Sequence, residues 1–511
     1  MKKIFIFILI SSFSFGQKTK NLTLLYTNDL HANFEPMQVN WVNKTRKVGG
    51  FANISTLVKE EKARNKNALY FDAGDFFTGP YHSFLTKGEA VIDVMNTMPI
   101  DAACVGNHEF DHGWENVPVR FKKANFPILN GNIFLKNSDE LLWNKPYKII
   151  EKNGLKLGVI GLHGKFAFYD TIADEMIRGV ECRDEEKYLK QYIAELDKKV
   201  DLIILLVHEG VPGRQSSVGQ ADVERSLQKD IELAQNVSGI DVIITGHAHK
   251  GTPEALISNG TLIVSTDALG IELGRLDITY NKKLDKITAH KNNLQVVYDD
   301  EIKDDEQTLT AINNSKEKQS IITSQHVCYI SENLTRSYGE ESLLGNMVAD
   351  AILFSKPTAD FALTNSGGLR EDILGPKVTV GALISAFPFP NTVVEMDLKG
   401  NDLQEIFEHG ATLKNGILQV SQGIEMSYDE TFPMETRVKK LLIKGEAIDP
   451  KKSYRVVTNN FLADGGDGFL AFKNGTNKKN TQMPILETLV KFLKTFETYT
   501  PKIEGRVVKE K

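Results

Sequence analysis

The sequence predicts a two-domain α/β protein built from stacked sheets and covering helices, and three observations carry that reading. Its 511 residues are enough for two to four domains at about 150 residues each. From Asn21 to about Tyr298, short β-rich apolar runs alternate with longer mixed segments, which suits stacked sheets with helices packed outside them. Between Asp299 and Gln319 the chain turns polar and charged, and beyond Ile321 strand and helix patterns resume to the end. Composition agrees: 41% hydrophobic and 25% charged residues are globular values that argue against disorder, a fibre or a polytopic membrane protein.

In chain order, Lys2 and Lys3 precede the apolar stretch Ile4 to Ile10, followed by small and polar residues up to Gln17. This is the layout of a secretory leader cleaved near Gly16. The stretch is too short for a bilayer, where about 20 residues are needed. No cysteine follows it for lipid attachment, and the charged end, Lys502 to Lys511, lacks the apolar tail of a lipid-anchored precursor. The expectation is a secreted, periplasmic protein without a stable membrane anchor. The predicted organisation is a leader at 1–16, a first domain at 17–298, a linker, helical in character, at 299–320, and a second domain at 321–511. A solvated surface helix within one domain is the competing reading of the linker.

The formal net charge of −6 offers no general attraction to a polyanion, so no nucleic-acid polymer is expected as a partner. Three cysteines are too few for a disulfide scaffold. Cys104 lies in an apolar run and reads as a buried thiol; Cys182 and Cys328 are the pair open to bridging.

In the first domain the runs are Leu22 to Tyr26, Ala68 to Phe71, Ala102 to Val105, Leu155 to Ile160, Leu202 to Val207, Val242 to Thr245 and Leu262 to Ser265. Five of them are followed at once by metal-binding side chains: Asp29 and His31; Asp75; Asn107 and His108; His208; His247 and His249. Ligands at the carboxyl ends of neighbouring strands converge on one crevice. Asp29 with His31 and His247 with His249 are i, i+2 pairs, which in extended backbone point the same way. One histidine after a strand is more often a hydrogen-bonded loop residue than a ligand, but five such groups are not readily placed by chance. Leaving His108 aside, the set offers two carboxylates, one carboxamide and four imidazoles, suited to Zn, Mn, Fe or Co rather than to Ca or Mg alone. Seven ligands imply two divalent ions sharing one carboxylate. Such a centre would attract phosphate and acidify a bound water into a nucleophile.

The segments Thr27-Asn28-Asp29-Leu30-His31, Gly74-Asp75, Gly106-Asn107-His108-Glu109-Phe110-Asp111, Val207-His208-Glu209 and Gly246-His247-Ala248-His249 together resemble the signature set of the binuclear calcineurin-like metallophosphoesterases. The resemblance implies a four-layer αββα sandwich. It also implies one ion held by Asp29, His31, Asp75 and His249 and another by Asp75, Asn107, His208 and His247, with Zn or Mn as the metals. His108 would contact the phosphoryl oxygens and stabilise transition-state charge, with Asp111 orienting its imidazole. Some periplasmic relatives carry Gln where this chain has His249, which here adds an imidazole ligand. His82, His112, His163, His290, His326 and His409 match no motif and are read as structural, with His112 and His163 open to lying near the cleft.

Four later segments resemble the C-terminal domain of the secreted 5′-nucleotidases: Glu341-Ser342-Leu343-Leu344-Gly345-Asn346, Asn365-Ser366-Gly367-Gly368-Leu369-Arg370, Pro388-Phe389-Pro390-Asn391 and Asn460 to Gly468. This implies a separate α/β substrate-binding domain. Phe389 and Phe461 sit in Pro- and Gly-flanked loops, where a base sandwiched between two rings would gain about 1–3 kcal/mol per stacked face; loop-anchoring core residues are the alternative. By the resemblance these rings stack the base, Asp467 accepts ribose hydroxyls, and Asn365 and Asn391 contact base or sugar. Arg370, beyond Gly367 and Gly368, which allow close backbone approach, would clamp phosphate. Just upstream of Leu344, many relatives carry substrate-binding arginines; here Tyr338 and Glu340 stand nearest, with Arg336 slightly out of register.

The expectation is a secreted binuclear metal phosphomonoesterase, a 5′-nucleotidase acting on nucleoside 5′-monophosphates by attack of a metal-activated hydroxide, and present as monomer or homodimer. A 2′,3′-cyclic-nucleotide phosphodiesterase with 3′-nucleotidase activity, a UDP-sugar hydrolase and a non-catalytic nucleotide-binding protein are the rivals.

Overall fold

The computed structural model describes residues 19–510 apart from 40, 144 and 212–219, so the expected leader at 1–16 lies outside the described residues. The first domain holds two six-stranded sheets. One runs, in spatial order, Lys286–Val296, Glu272–Asn281, Thr19–Thr27, Ala68–Asp72, Ala102–Cys104 and Ile128–Leu129. The other runs Leu256–Ser258, Thr261–Val264, Val242–His247, Leu202–Glu209, Leu155–His163 and Tyr147–Lys152.

The apolar runs become strands because their central members are covered on both faces, where continuous β-branched and leucine sequence is favoured. All eight residues of Leu202–Glu209 are buried, whereas the edge strand Lys286–Val296 is mostly exposed or half-buried. Between the sheets Leu24, Tyr26, Phe71, Val159, Ile204 and Ile244 form one core. Outside the first sheet a second core joins the helices Phe51–Arg64 and Glu89–Met95, through Ile54, Val58, Val91 and Met95. Outside the second sheet, Tyr188, Leu189 and Tyr192 of Glu185–Leu196 and Leu233 of Gln228–Asn236 form a third. The layers are therefore helix, sheet, sheet, helix.

The second domain centres on a five-stranded sheet ordered Leu418–Val420, Phe361–Asn365, Ser453–Asn459, Thr392–Lys399 and Thr476–Pro484. Leu343–Phe354 and Ile485–Leu493 cover one face through Met347, Ile352 and Leu489, while Gly400–Ala411 packs Leu403, Ile406 and Phe407 into a separate core. The expected α/β class and two-domain architecture are thus both present.

Cys104, Cys182 and Cys328 are all buried and free, so Cys182 and Cys328 do not pair: one lies in the first-domain strand Val180–Cys182, the other in the second-domain strand His326–Ile330. The polar run after Asp299 ends in the helix Glu306–Thr323, where Asp305 caps the Thr308 amide. Ile312 of that helix is buried in the first domain's core, and Asp305 also accepts from Lys59 Nζ at 2.8 Å. The charged composition marks the outer face of a docked helix.

Candidate active site

In the first sheet, Thr19–Thr27, Ala68–Asp72 and Ala102–Cys104 run parallel; in the second, Leu155–His163, Leu202–Glu209 and Val242–His247 do the same. The carboxyl ends of five of these six strands carry the expected ligands, and stacking the two sheets brings them to one crevice. Asp29, His31 and His249 form one cluster with ligand atoms within 4.8 Å of one another, Asp75, His208 and His247 form another, and His108 approaches His31 and Asp75 equally closely. His31 Nε2 and His249 Nε2 are 3.0 Å apart. His208 Nε2 is 3.0 Å from Asp75 Oδ2, and His247 Nδ1 is 2.9 Å from Asn107 Oδ1.

Extended backbone is not what aligns the i, i+2 pairs. Asp29, His31, Asp75, His247 and His249 all have left-handed φ, between 46° and 71°, a conformation that costs a non-glycine residue about 1–2 kcal/mol. The side chains are aimed by tight turns at strand ends, and such strain characterises functional sites.

Buried partners hold those turns. Glu109 accepts the amides of Asp75 at 3.1 Å, Phe77 at 2.8 Å and Gly106 at 2.7 Å, tying two ligand loops together. Burial, reinforced by the Asp75 charge, pushes its carboxyl up to about 8. Asn28 donates to Asp29 Oδ2 at 2.7 Å and to the Thr266 carbonyl at 3.0 Å. Both residues fall inside the sequence motifs, where only their positions next to expected ligands mark them for this role.

The donor set fits divalent metal. A carbonyl can only accept, so His208 Nδ1 donates to Ala73 O at 2.7 Å and His31 Nδ1 to Thr78 O at 2.9 Å. In both rings the outer partner takes Nδ1 and leaves Nε2 as the atom turned to the other cluster residues, which is how outer partners prepare a metal ligand. His247 Nε2 is buried without a hydrogen-bond partner. Burial opposes ionisation of Asp75, but the neighbouring His208 and His108 overcome it and hold the carboxyl well below the usual range.

His108 sits at the crevice mouth. Its Nδ1 is 2.7 Å from Asp111 Oδ2, and its Nε2 is 2.8 Å from Nη2 of Arg370, which comes from the other domain. A guanidinium only donates, so Nε2 accepts here and the ring proton faces Asp111. Burial disfavours a second proton on the ring, but Asp111 and Asp75 outweigh it and raise the His108 pKa.

Across the cleft the expected substrate residues gather. A cavity of about 700 Å³ is lined by Asp75, Asn107, His108, His247 and His249 on one wall and by Asn365, Gly368, Arg370, Phe389, Asn391, Phe461 and Asp467 on the other. The Arg370 guanidinium lies 5.5 Å from the Phe389 ring centre, and that ring is 5.8 Å from the His108 ring. Asn365 Nδ2 donates to Asp467 Oδ2 at 2.9 Å. Burial, helped by the nearby Asp170, pushes the Asp467 carboxyl up to about 7. Arg336, Tyr338 and Glu340 also line the cavity. Asp29, His31 and His208 lie behind this wall and are buried. Of the two histidines left open, His163 packs behind His208 at 5.7 Å between rings and His112 packs on Phe84.

Comparison with known proteins accounts for both walls. Residues 22–251 match the model of the calcineurin-like phosphoesterases and residues 320–474 that of the 5′-nucleotidase C-terminal domain. The chain belongs to the two-domain 5′-nucleotidase family. Within that family it is 29% identical to a Vibrio cholerae 5′-nucleotidase, over 94% of this chain and 91% of that one. It is 27% identical to the 5′-nucleotidase of Bos taurus, over 95% and 90%. The crystal structure of a 5′-nucleotidase precursor from Thermus thermophilus superposes with a TM-score of 0.82 at 28% identity, covering 96% of this chain and 99% of the other. The chain is thus a metal-dependent phosphohydrolase of this family, sharing its domain order.

Proposed function

We propose that this protein is a secreted 5′-nucleotidase that hydrolyses nucleoside 5′-monophosphates to nucleoside and phosphate. One observation carries the reading: the cavity of about 700 Å³ has the metal-ligand cluster and His108 on one wall and an arginine, two aromatic rings and a carboxylate on the other. Phosphate and nucleoside recognition are thereby opposed across one cleft.

Asp29, His31, Asp75 and His249 would hold one divalent ion, and Asp75, Asn107, His208 and His247 the second, with Zn or Mn as the metals. When bound, such ions neutralise phosphate charge and acidify water at neutral pH. His108 Nε2 faces the space between the domains, where a phosphoryl group entering beside it takes over Arg370 as partner. The imidazole, oriented by Asp111, then takes a proton from solvent on Nε2, so that it turns from acceptor to donor and stabilises charge on the phosphoryl oxygens. Phe389 and Phe461 stack the base, Asn365 and Asn391 contact base or sugar, Asp467 accepts ribose hydroxyls, and Gly368 admits the substrate close to the backbone.

The domains in this reading run 17–298 and 321–511, joined by the segment 299–320, whose helix Glu306–Thr323 docks on the first domain. The relatives include snake-venom 5′-nucleotidases, and among the described residues no helix is long and apolar enough to cross a membrane. The venom relatives support export, and this reading takes the protein as carrying a leader at 1–16, going to the periplasm and acting as monomer or homodimer.

The test is phosphate release by protein stripped with chelator and reloaded with Mn or Zn, offered AMP, UMP, 3′-AMP, 2′,3′-cyclic AMP and UDP-glucose. Metal-restored release from AMP or UMP is expected. Activity confined to the cyclic and 3′ substrates would reassign the protein to a 2′,3′-cyclic-nucleotide phosphodiesterase with 3′-nucleotidase activity.

A further inference from the structure

Asp467 occupies an unusual setting for a recognition residue. It lies in Gly465-Gly466-Asp467-Gly468 with left-handed backbone, φ 56° and ψ 23°, a conformation disfavoured for any residue with a Cβ. Its flanking glycines have φ of 85° at Gly465 and 74° at Gly468, so the turn has more conformations to lose on ordering than an ordinary loop. A carboxylate on so loose a turn would bind weakly unless something else fixed the turn beforehand.

Two side chains do so. His409 Nε2 lies 2.8 Å from the Asp467 carbonyl oxygen, and Asn415 Nδ2 donates to the same oxygen at 3.1 Å. A carbonyl oxygen has two lone pairs, so these donors saturate it, and the His409 proton must sit on Nε2. The His409 ring is itself held edge-to-face on Phe469, centroids 4.5 Å apart, and Phe469 is buried in the domain core. The turn is also clamped between rings. A Cβ on Gly468 would come within 3.0 Å of His409 Cε1, and one on Gly466 within 2.4 Å of the Phe461 ring. His409 thus packs on one side of the turn while Phe461, the proposed base-stacking ring, packs on the other.

We infer that His409, with Asn415 as its second donor, is a positioning residue for nucleoside recognition: it fixes the strained Asp467 turn so that the carboxylate meets the ribose hydroxyls. This rests on the reading of Asp467 given above. His409 touches no substrate atom in this arrangement and acts through the backbone of Asp467. In sequence it matches no motif, because it lies 58 residues before Asp467 on the helix Gly400–Ala411.

The test measures Kd for adenosine and for 2′,3′-dideoxyadenosine by calorimetry, and KM and kcat for AMP, on metal-loaded full-length protein. The variants are His409→Ala, His409→Gln, Asn415→Ala and Asp467→Asn, each checked for folding by its melting curve. His409→Ala should weaken adenosine about tenfold, the scale of one well-oriented hydrogen bond, and dideoxyadenosine less than about twofold, with the loss in AMP turnover falling on KM. His409→Gln, which keeps an N–H donor, should recover much of the adenosine affinity. Asn415→Ala should show the same selectivity to a smaller degree, and decides the matter if His409→Ala does not fold. Equal weakening of both nucleosides, or of neither, by folded His409 and Asn415 variants would overturn the inference. Should Asp467→Asn fail to separate the two nucleosides, the reading of Asp467 itself falls, and the inference with it.

Discussion

At the scale of single residues, the titrating groups set what the cleft can do at a given pH. Asp467 has its carboxyl pushed up to about 7 by burial and by Asp170. A carboxyl whose folded pKa is raised holds its proton more tightly in the native state, so ionising it costs stability. That cost is absent below its ordinary pKa near 4, grows between there and about 7, where the unfolded chain binds fewer protons than the folded one, and is complete above about 7. Recognition runs the opposite way, because only the carboxylate accepts from both ribose hydroxyls. The ratio of KM for 2′,3′-dideoxy-AMP to KM for AMP should therefore rise between pH 6 and 8, and Asp467→Asn should flatten it. Using the ratio cancels ionisation of the phosphate, which both substrates share. His108 acts differently: it lines the cavity but belongs to neither predicted ligand set. His108→Ala should keep both metals by elemental analysis yet lower kcat about 10²–10³-fold, the scale for removing one transition-state donor.

Elements convert those residues into a site, and the decisive ones are the turns after the strands. A Cβ on Gly106 would lie 2.2 Å from Asp75 Oδ1 and 2.5 Å from its amide nitrogen, a clash that only backbone movement relieves. Gly106→Ala should therefore displace Asp75 and lower bound metal toward one ion per chain or fewer, while the strands, held by their own cores, keep their circular dichroism. Retention of two ions by that variant would refute Asp75 as the shared ligand. The motifs made the ligands legible in sequence because each directly follows an apolar run. The left-handed backbone was not legible, because aspartate and histidine do not announce positive φ as glycine does. Nor was the docking of Glu306–Thr323: its helical character could be read, but its charges hid the buried Ile312, whose partners lie far away in the chain.

For the whole molecule, the closed cleft is held by contacts that cross between domains. Besides the pair of Arg370 and His108, Asn460 donates to Glu175, the Tyr81 amide donates to Ser385 Oγ at 3.3 Å, and Lys414 lies 5.3 Å from the Phe166 ring centre. Substrate and product must pass this closure, so the domains are expected to part in each cycle about the segment 299–320. A disulfide formed between Tyr81→Cys and Ser385→Cys should suppress turnover under oxidising conditions and release it on reduction. The native thiols are all buried and leave that readout clear. Unchanged turnover in the fully crosslinked protein would show that opening is not required. By itself the sequence determined the class of fold, the metal-binding residue types and the family, since these rest on local order: apolar runs, the residues that follow them, and motifs in succession. Only the tertiary structure decided which ligand side chains meet across the two sheets, that Arg370 meets His108 across a domain boundary, and that His409 supports Asp467. Those contacts join residues distant in sequence, and which of them form is settled by packing, on which local pattern is silent.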